Sequence, residues 1–392
     1  MLATFCFMSS NMLANPIVAG YAESLGADGM LMGAVAGSMS FISLFCRPIA
    51  GNLSDKTSKR TLVAVGTVLY FAAGLLYYFA NSPIMLIMAR VINGVGFACC
   101  SVCLATWMSL LLPIRHMGAG MGLYGTMNAL AMAVGPALGI RAQKYIGYRL
   151  TFLSSLVLAV IMLIATLMVK NGGQPVRKKQ ISITENPSTA VDIDGSASAT
   201  KKHRFSIRSI LEPRVVPLSL TFMMFAIAYF ANQSFIVNYV QSRHLPVSSD
   251  LFFMFYAVAL LVLRLGLRDL FDSKGFRFWL TVCSLGMLAM LACMTFLFND
   301  WMLLLAAIFT AVGYGLMSSV TQAQAVVIAG RERSGIANST YYAGIDLGMS
   351  VGPFVGGLVY GRLSAVWFYP VFMLAMPVAW LIYLLCVKRV SR

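Results

Sequence analysis

Asp346 constrains what this chain can do more than any other residue. It stands inside the apolar run 336–360, and no other carboxylate lies so far inside such a run. Glu23 falls just past the first run, and the other acids lie between runs or at their ends. An ionised carboxylate in the middle of an apolar span is costly, so an Asp kept there is either used or neutralised. A carboxyl that loads and releases a proton is what coupling to a proton gradient requires. Tyr342, Asp346 and Ser350 recur at four-residue spacing and share a helix face. The alternative reading is an Asp neutralised by a buried cation such as Arg90. Arg90 lies within the run 84–112, where an Arg costs at least about 2.5–3.5 kcal/mol on insertion scales. Arg90, Asn93, Gly94 and Phe97 fall on one helix face. That face points into a polar cavity, or Arg90 is structural and bonded to backbone carbonyls. Weaker candidates for lining a cavity are Asn11, Asn15, Asn93, Asn128, Gln233, Asn238, Ser318, Gln322 and Tyr342.

The elements that must position these residues are apolar helices. Of 392 residues 59% are hydrophobic and 11% charged, against roughly 25% charged in a soluble domain. With mean hydropathy +0.80, a water-soluble or disordered chain is excluded. The runs extend over about 20 residues without alternating, which selects helices over a β-barrel. Twelve spans follow: 1–21, 30–50, 61–80, 84–112, 119–140, 150–169, 215–241, 250–267, 278–298, 301–329, 336–360 and 366–387. The first opens without a preceding Lys or Arg and reads as a span rather than a secretory signal. The segment 170–214 is the one long connection. It holds Gly, Pro, Ser, Thr and nine Lys or Arg, and reads as a flexible linker between an N-terminal bundle, 1–169, and a C-terminal bundle, 215–392. Ile207, Ile210 and Leu211 beside Arg204 and Arg208 would also suit a short helix on the membrane surface.

Net charge +16 is a topology signal, since Lys and Arg collect in cytoplasmic loops. Of the 29, only Arg90 and Arg141, Lys144, Arg149, Arg243 and Arg362 fall away from the side holding both termini. Both termini are therefore expected in the cytoplasm and the chain in the plasma membrane. The eight Cys lie mostly in spans and read as small apolar residues, Cys100 and Cys103 included. No nucleic-acid partner, metal or other cofactor is expected.

A constant offset of 217 residues pairs Arg47 with Arg264, Asp55 with Asp272, Arg60 with Arg277 and Gly118 with Gly335. It also pairs Gly135 and Pro136 with Gly352 and Pro353, and Gly139 with Gly356. Two parallel six-helix repeats with a site between them form a transporter architecture.

The loop Arg47-Pro-Ile-Ala-Gly51-Asn-Leu53-Ser-Asp55-Lys-Thr-Ser-Lys59-Arg60 resembles the signature loop of the major facilitator superfamily, with Ser58 at a Gly position. Its second copy runs from Arg264 to Arg277 through Asp272, with Arg268 at the expected Gly. Gly51 would allow close helix contact. Asp55 could meet a helix N-terminus or an Arg of the other half. The resemblance implies a conformational lock made of Gly51, Asp55, Lys59, Arg60, Asp272 and Arg277. Arg90 with Gly94 and Gly96 resembles the family's fourth-helix motif and implies proton coupling or substrate contact. Gly135-Pro136-x-x-Gly139 resembles the motif of drug exporters, with Ala131 and Ile140 replacing two glycines. The copy Gly348-x-x-x-Gly352-Pro353-x-x-Gly356-Gly357 is complete. It implies a hinge or close contact at the interface of the halves.

The resemblance implies an all-α integral membrane protein of the major facilitator fold: twelve transmembrane helices in two pseudo-symmetric six-helix bundles. Within the superfamily the chain is most similar to the twelve-helix drug:proton antiporters. The expected function is proton-coupled efflux of small amphipathic molecules by a monomer, with Asp346 and Arg90 in coupling. The 25 Phe, 16 Tyr and 26 Met suit an adaptable apolar pocket. No carboxylate sits inside a span of the N-terminal half, so a strongly cationic substrate does not fit. The alternative is a facilitator or importer of sugar or another metabolite. A membrane enzyme is not expected, because His116, His203 and His244 all lie between spans and no nucleophile or metal motif is present.

Overall fold

A computed structural model describes residues 1–111, 117–169, 211–267, 270, 273–330 and 333–390. Every regular element among them is helical. Helices α1 (Leu2–Ser24), α2 (Gly29–Lys56), α3 (Lys59–Phe79) and α4 (Pro83–Leu111) follow through short turns. Asp28 caps α2, its Oδ1 accepting from the Leu31 amide at 2.8 Å.

The stretch Met117–Leu167 holds 51 residues, about 75 Å of straight helix, far longer than a hydrocarbon core of about 30 Å. It turns back at Gly147, where φ is 76° and ψ 173°, a conformation open essentially to glycine alone. The two limbs are α5 (117–146) and α6 (148–167), and both lie on α1. Gly139 abuts Leu13, Tyr148 stacks on Tyr21 at 5.2 Å, and the Ser10 hydroxyl donates to the Ser155 carbonyl at 3.0 Å. The loop expected at 141–149 is thus helical on either side of one residue. Its Arg, Ala, Gln and Lys favour helix, and only Gly147 interrupts them.

The second half comprises α7 (Val216–Ser242), α8 (Ser249–Gly266), α9 (Phe276–Thr295), α10 (Asp300–Ala329), α11 (Ser334–Arg362) and α12 (Ala365–Cys386). The repeat is visible in helix starts. Those of α9, α10 and α11 each lie 217 residues beyond those of α3, α4 and α5. Within α10, Ala311–Leu316 forms a π-helical turn. Large apolar side chains such as Val68, Phe79, Leu384 and Leu385 point outward, as lipid-facing residues do.

The bundles α1–α6 and α7–α12 meet along α2 with α11, α1 with α7, and α5 with α8. The α2–α11 seam is a glycine track. A Cβ on Gly33 would stand 2.6 Å from the Pro353 carbonyl oxygen, and one on Gly29 would stand 2.5 Å from the Gly361 Cα. Backbones this close require residues without side chains.

Candidate functional site

The α2–α11 seam carries Arg47 and Asp346 on its inner length. The Arg47 Nε lies 2.6 Å from Asp346 Oδ2, and Nη2 donates to Oδ1 at 3.0 Å. This is a two-point guanidinium–carboxylate contact between the two bundles. The Asp346 side chain is 1% exposed and that of Arg47 is 22% exposed. Arg47 also lies over the Phe97 ring at 5.4 Å and the Tyr342 ring at 5.8 Å. Burying both charges is costly, and the pair offsets that cost only while both partners stay charged and aligned. Asp346 is therefore matched by a cation, but the cation is Arg47 and not Arg90. From the sequence Arg47 is a loop and repeat landmark at the end of the span 30–50, with nothing to mark it as the partner of Asp346.

Arg90 is occupied elsewhere. Its Nε donates to the Val35 carbonyl at 3.3 Å, Nη2 to the Ala36 carbonyl at 2.5 Å, and Nη1 to Asn15 Oδ1 at 3.1 Å. One buried side chain thus ties α1, α2 and α4 together. The fourth helix can approach because Gly94 abuts the Met39 carbonyl of α2.

The polar candidates divide. Asn15 is taken by Arg90. Asn11 is buried with no hydrogen-bond partner on either amide atom, and Asn93 Oδ1 is buried without one. Asn128 donates to its own helix at the Tyr124 carbonyl, 3.2 Å away. Gln233 of α7 reaches across to Met12 Sδ of α1 at 3.8 Å. Gln322 donates to Asn338 Oδ1 at 3.1 Å and reaches the Tyr342 hydroxyl at 3.5 Å. Tyr342 is 40% exposed, an open aromatic face beside the ion pair.

Further bonds join the bundles on the face opposite the chain termini, here the far face. Asn238 of α7 donates to Glu23 Oε2 at 2.5 Å, and the Tyr360 hydroxyl of α11 donates to Glu23 Oε1 at 3.4 Å. Arg141 lies 3.7 Å from Asp250. From the sequence Glu23 is an acid just past the first span and the next candidate for coupling after Asp346; its role as a bridging acceptor needs distances that sequence does not give.

The described lock residues, Gly51, Lys59, Arg60 and Arg277, do not bridge the bundles here. A Cβ on Gly51 would meet nothing within 4 Å, so the close contact expected there is not made. Arg60 donates to the Leu167 carbonyl, and to the Val169 carbonyl at 2.9 Å, closing the end of α6 in its own bundle. Lys59 is buried at the start of α3, and Arg277 is exposed. The Asp55 side chain and Asp272 lie outside the described residues. Apart from Gly357, the motif glycines pack within their own bundles rather than between them. A Cβ on Gly135 would stand 2.7 Å from the Met12 Cβ, and Gly139, beside Pro136, abuts Leu13. A Cβ on Gly352 would stand 2.6 Å from the Ile227 carbonyl oxygen, and one on Gly356 3.1 Å from the Phe235 ring. Within this motif the Ser350, Pro353 and Phe354 carbonyls and Gly357 face the other bundle. The reason is spacing: residues four apart share one face, and the Gly352–Gly356 face is taken by α7.

Two described stretches at the near face are also joined. Glu212, from the end of the expected linker, pairs with Arg333 at 2.6 Å, and its amide donates to Thr340 Oγ1 of α11 at 2.8 Å.

Solved structures of similar fold include a nucleoside transporter, NupG, at TM-score 0.75 and 12% identity, covering 98% of both chains. A peptide transporter of the POT family in complex with sulfate matches at TM-score 0.74 and 12% identity, covering all of this chain and 94% of that one. At such identity they speak for the fold alone. An uncharacterised MFS-type transporter of Methanocaldococcus jannaschii is 22% identical over 369 residues, 93% of this chain and 90% of its own. An SPX domain-containing membrane protein of Arabidopsis thaliana is 32% identical over 169 residues, 42% of this chain and 24% of that protein. The family model for the Major Facilitator Superfamily matches residues 1–300 and 272–392, and the chain belongs to that superfamily of multi-pass membrane transporters.

Proposed function

We propose that the protein is a proton-coupled antiporter that exports small amphipathic molecules by alternating access. It works as a monomer in the plasma membrane with both termini in the cytoplasm. The bundles 1–169 and 215–392 move as units joined by the linker 170–214. The observation that carries this reading is the Arg47–Asp346 pair.

An exchanger must not cross the membrane empty. With both groups charged, the pair ties α2 to α11, and the far face stays shut with it. A proton on Asp346 removes the negative charge, and a substrate group on Arg47 competes for the guanidinium. Either one opens the latch, while neither leaves it closed. Proton and substrate thus act on one equilibrium through one pair, which is the requirement for coupling. Arg90 serves by holding α1, α2 and α4 as one body, so that Arg47 is presented at a fixed depth. Tyr342, Asn11, Asn93, Gln233 and Gln322 line the space into which substrate enters. The signature-loop lock at Asp55, Arg60, Asp272 and Arg277 engages when the near face closes. Charge placement supports the orientation, with the near face holding most Lys and Arg.

The test is proton movement in liposomes holding the purified protein, under an imposed pH gradient, with a panel of lipophilic compounds and sugars. Substrate-dependent proton flux is expected in the wild type and lost in Asp346→Asn, while exchange of labelled for unlabelled substrate persists in the variant. Substrate movement without proton flux in the wild type would replace this reading with a facilitator.

A further inference from the structure

The repeat makes Arg264 of α8 the counterpart of Arg47, and their surroundings differ in one telling way. Arg47 is bounded by Phe97, Tyr342 and Asp346. The 217-residue offset converts these to Tyr314, Gly125 and Ala129. Tyr314 stands at the Phe97 position, and the Arg264 charge is within electrostatic reach of the buried hydroxyls of Tyr314, Tyr256 and Tyr341. The aromatic wall is gone. Gly125 stands where Tyr342 would be, and a Cβ there would meet nothing within 4 Å. The carboxylate is gone as well, since Ala129 stands where Asp346 would be.

Arg264 is half-buried, and its Nε is shielded from solvent without a hydrogen-bond partner. It does not face lipid along its length. Tyr256, Leu260 and Arg264 share one face of α8, both Tyr256 and Leu260 are buried, and Leu260 lies on Gly315 of α10. The described acids are all engaged elsewhere. Glu23 bridges the far face, Asp28 caps α2, and Glu212 pairs with Arg333. Asp250 lies by Arg141, Asp300 accepts from the Ser248 amide, and Asp346 holds Arg47. A shielded guanidinium donor without an acceptor is costly. A guanidinium also presents a planar fork of donors that matches an oxyacid group.

Resting on the transport reading, we propose that Arg264 anchors an anion subsite on the α5–α8 side of the interface between the bundles. The subsite takes the carboxylate or similar oxyacid group of a small organic solute on the Arg264 guanidinium. Substrate then supplies in the C-terminal half the negative charge that Asp346 supplies to Arg47. The amphipathic substrates are thereby narrowed to organic anions.

The experiment measures thermal unfolding of the full-length protein in a neutral detergent. The probes are benzoate, its neutral analogue benzamide, and the lipid phosphatidylglycerol. Benzoate is expected to raise the midpoint saturably and benzamide to leave it in place. Arg264→Gln is expected to weaken apparent benzoate affinity at least about tenfold, the scale of one lost bond to a charged group. Arg264→Lys should retain part of it, and Arg362→Gln all of it. Ligand-free midpoints and gel-filtration profiles report whether each variant folds. An equal benzoate shift in Arg264→Gln, or an equal shift with benzamide, would overturn the proposal. So would a shift that arises only in Asp269→Asn or Asp272→Asn, which would make a loop acid the counterion. Arg264-dependent protection by phosphatidylglycerol without any by benzoate would make this a lipid contact and also overturn it. Absent benzoate binding with intact substrate-linked proton flux removes the subsite and leaves the transport reading. Arg264-dependent binding with no proton flux for any compound does the reverse.

Discussion

Asp346 and Arg47 hold their contact only while both are charged, so single substitutions at the two positions should not be equivalent. Asp346→Asn leaves a partly buried guanidinium without its counterion, a loss of the kind that costs about 3–5 kcal/mol in buried pairs. Arg47→Gln leaves the more deeply buried partner, Asp346, alone. Both should lower the unfolding midpoint, Arg47→Gln the more. The charge-exchanged double variant, Arg47→Asp with Asp346→Arg, should recover part of the loss, and a double-mutant cycle on unfolding midpoints measures how much. At Arg90, Arg90→Lys keeps the charge but cannot serve Val35, Ala36 and Asn15 in one planar fork. The midpoint should fall while the pH profile of transport keeps its shape. A changed profile would assign Arg90 to proton handling rather than to positioning. At this scale the sequence was half legible. That Asp346 had to be used or neutralised followed from its place in an apolar run. That its partner was Arg47, 299 residues away, did not, because hydropathy orders residues along the chain and is silent on which faces meet. The same limit applies to the motif glycines, whose spacing foretold close packing but not which helix they would pack against.

The elements were more legible, because a bilayer fixes the length of apolar helix it takes. The expected spans coincide with the helices apart from their ends and the turn at Gly147. There, helix-forming side chains carried both limbs through a stretch that charge alone marked as loop. Gly147→Ala should cost about 1–3 kcal/mol, since φ 76° with ψ 173° suits no L side chain. A lowered unfolding midpoint with unchanged helix content by circular dichroism checks this. The seam of α2 and α11 is a second element-scale case. Gly33→Val would put side-chain atoms where the Pro353 carbonyl stands, and within one bundle nothing else changes. The two helices must part on the far face, so labelling of Ser350→Cys, a near-isosteric change at a buried seam position, by a membrane-impermeant thiol reagent from the far side should rise several-fold. An unchanged labelling rate would mean that the seam does not gate the far face.

Across the whole molecule, the other bonds between the bundles among the described residues sit on the far side of the Arg47–Asp346 pair, with Glu23, Arg141 and Met12 contributing from the N-terminal half. One pair at the inner edge of a closed seam is well placed to decide whether that seam opens, because it has the longest lever to the near face and the outer contacts are weaker. Glu23 is itself exposed and Arg141 more than half so, and exposed pairs contribute little. The rocking of one bundle on the other therefore has a definite sign. Spin labels at Lys56 and Ser273, on the near face, should move closer when acid pH or a substrate loads the carrier. Labels at Ser24 and Ser364, on the far face, should move apart under the same conditions. Asp346→Asn, which mimics the protonated carboxyl, should show the loaded distances at every pH. The two changes must be anticorrelated within one sample, since a rigid rocking motion cannot open one face without closing the other. If both pairs separate together on acidification, the bundles are coming apart rather than rocking, and the ion pair is then a staple of the fold and not its switch.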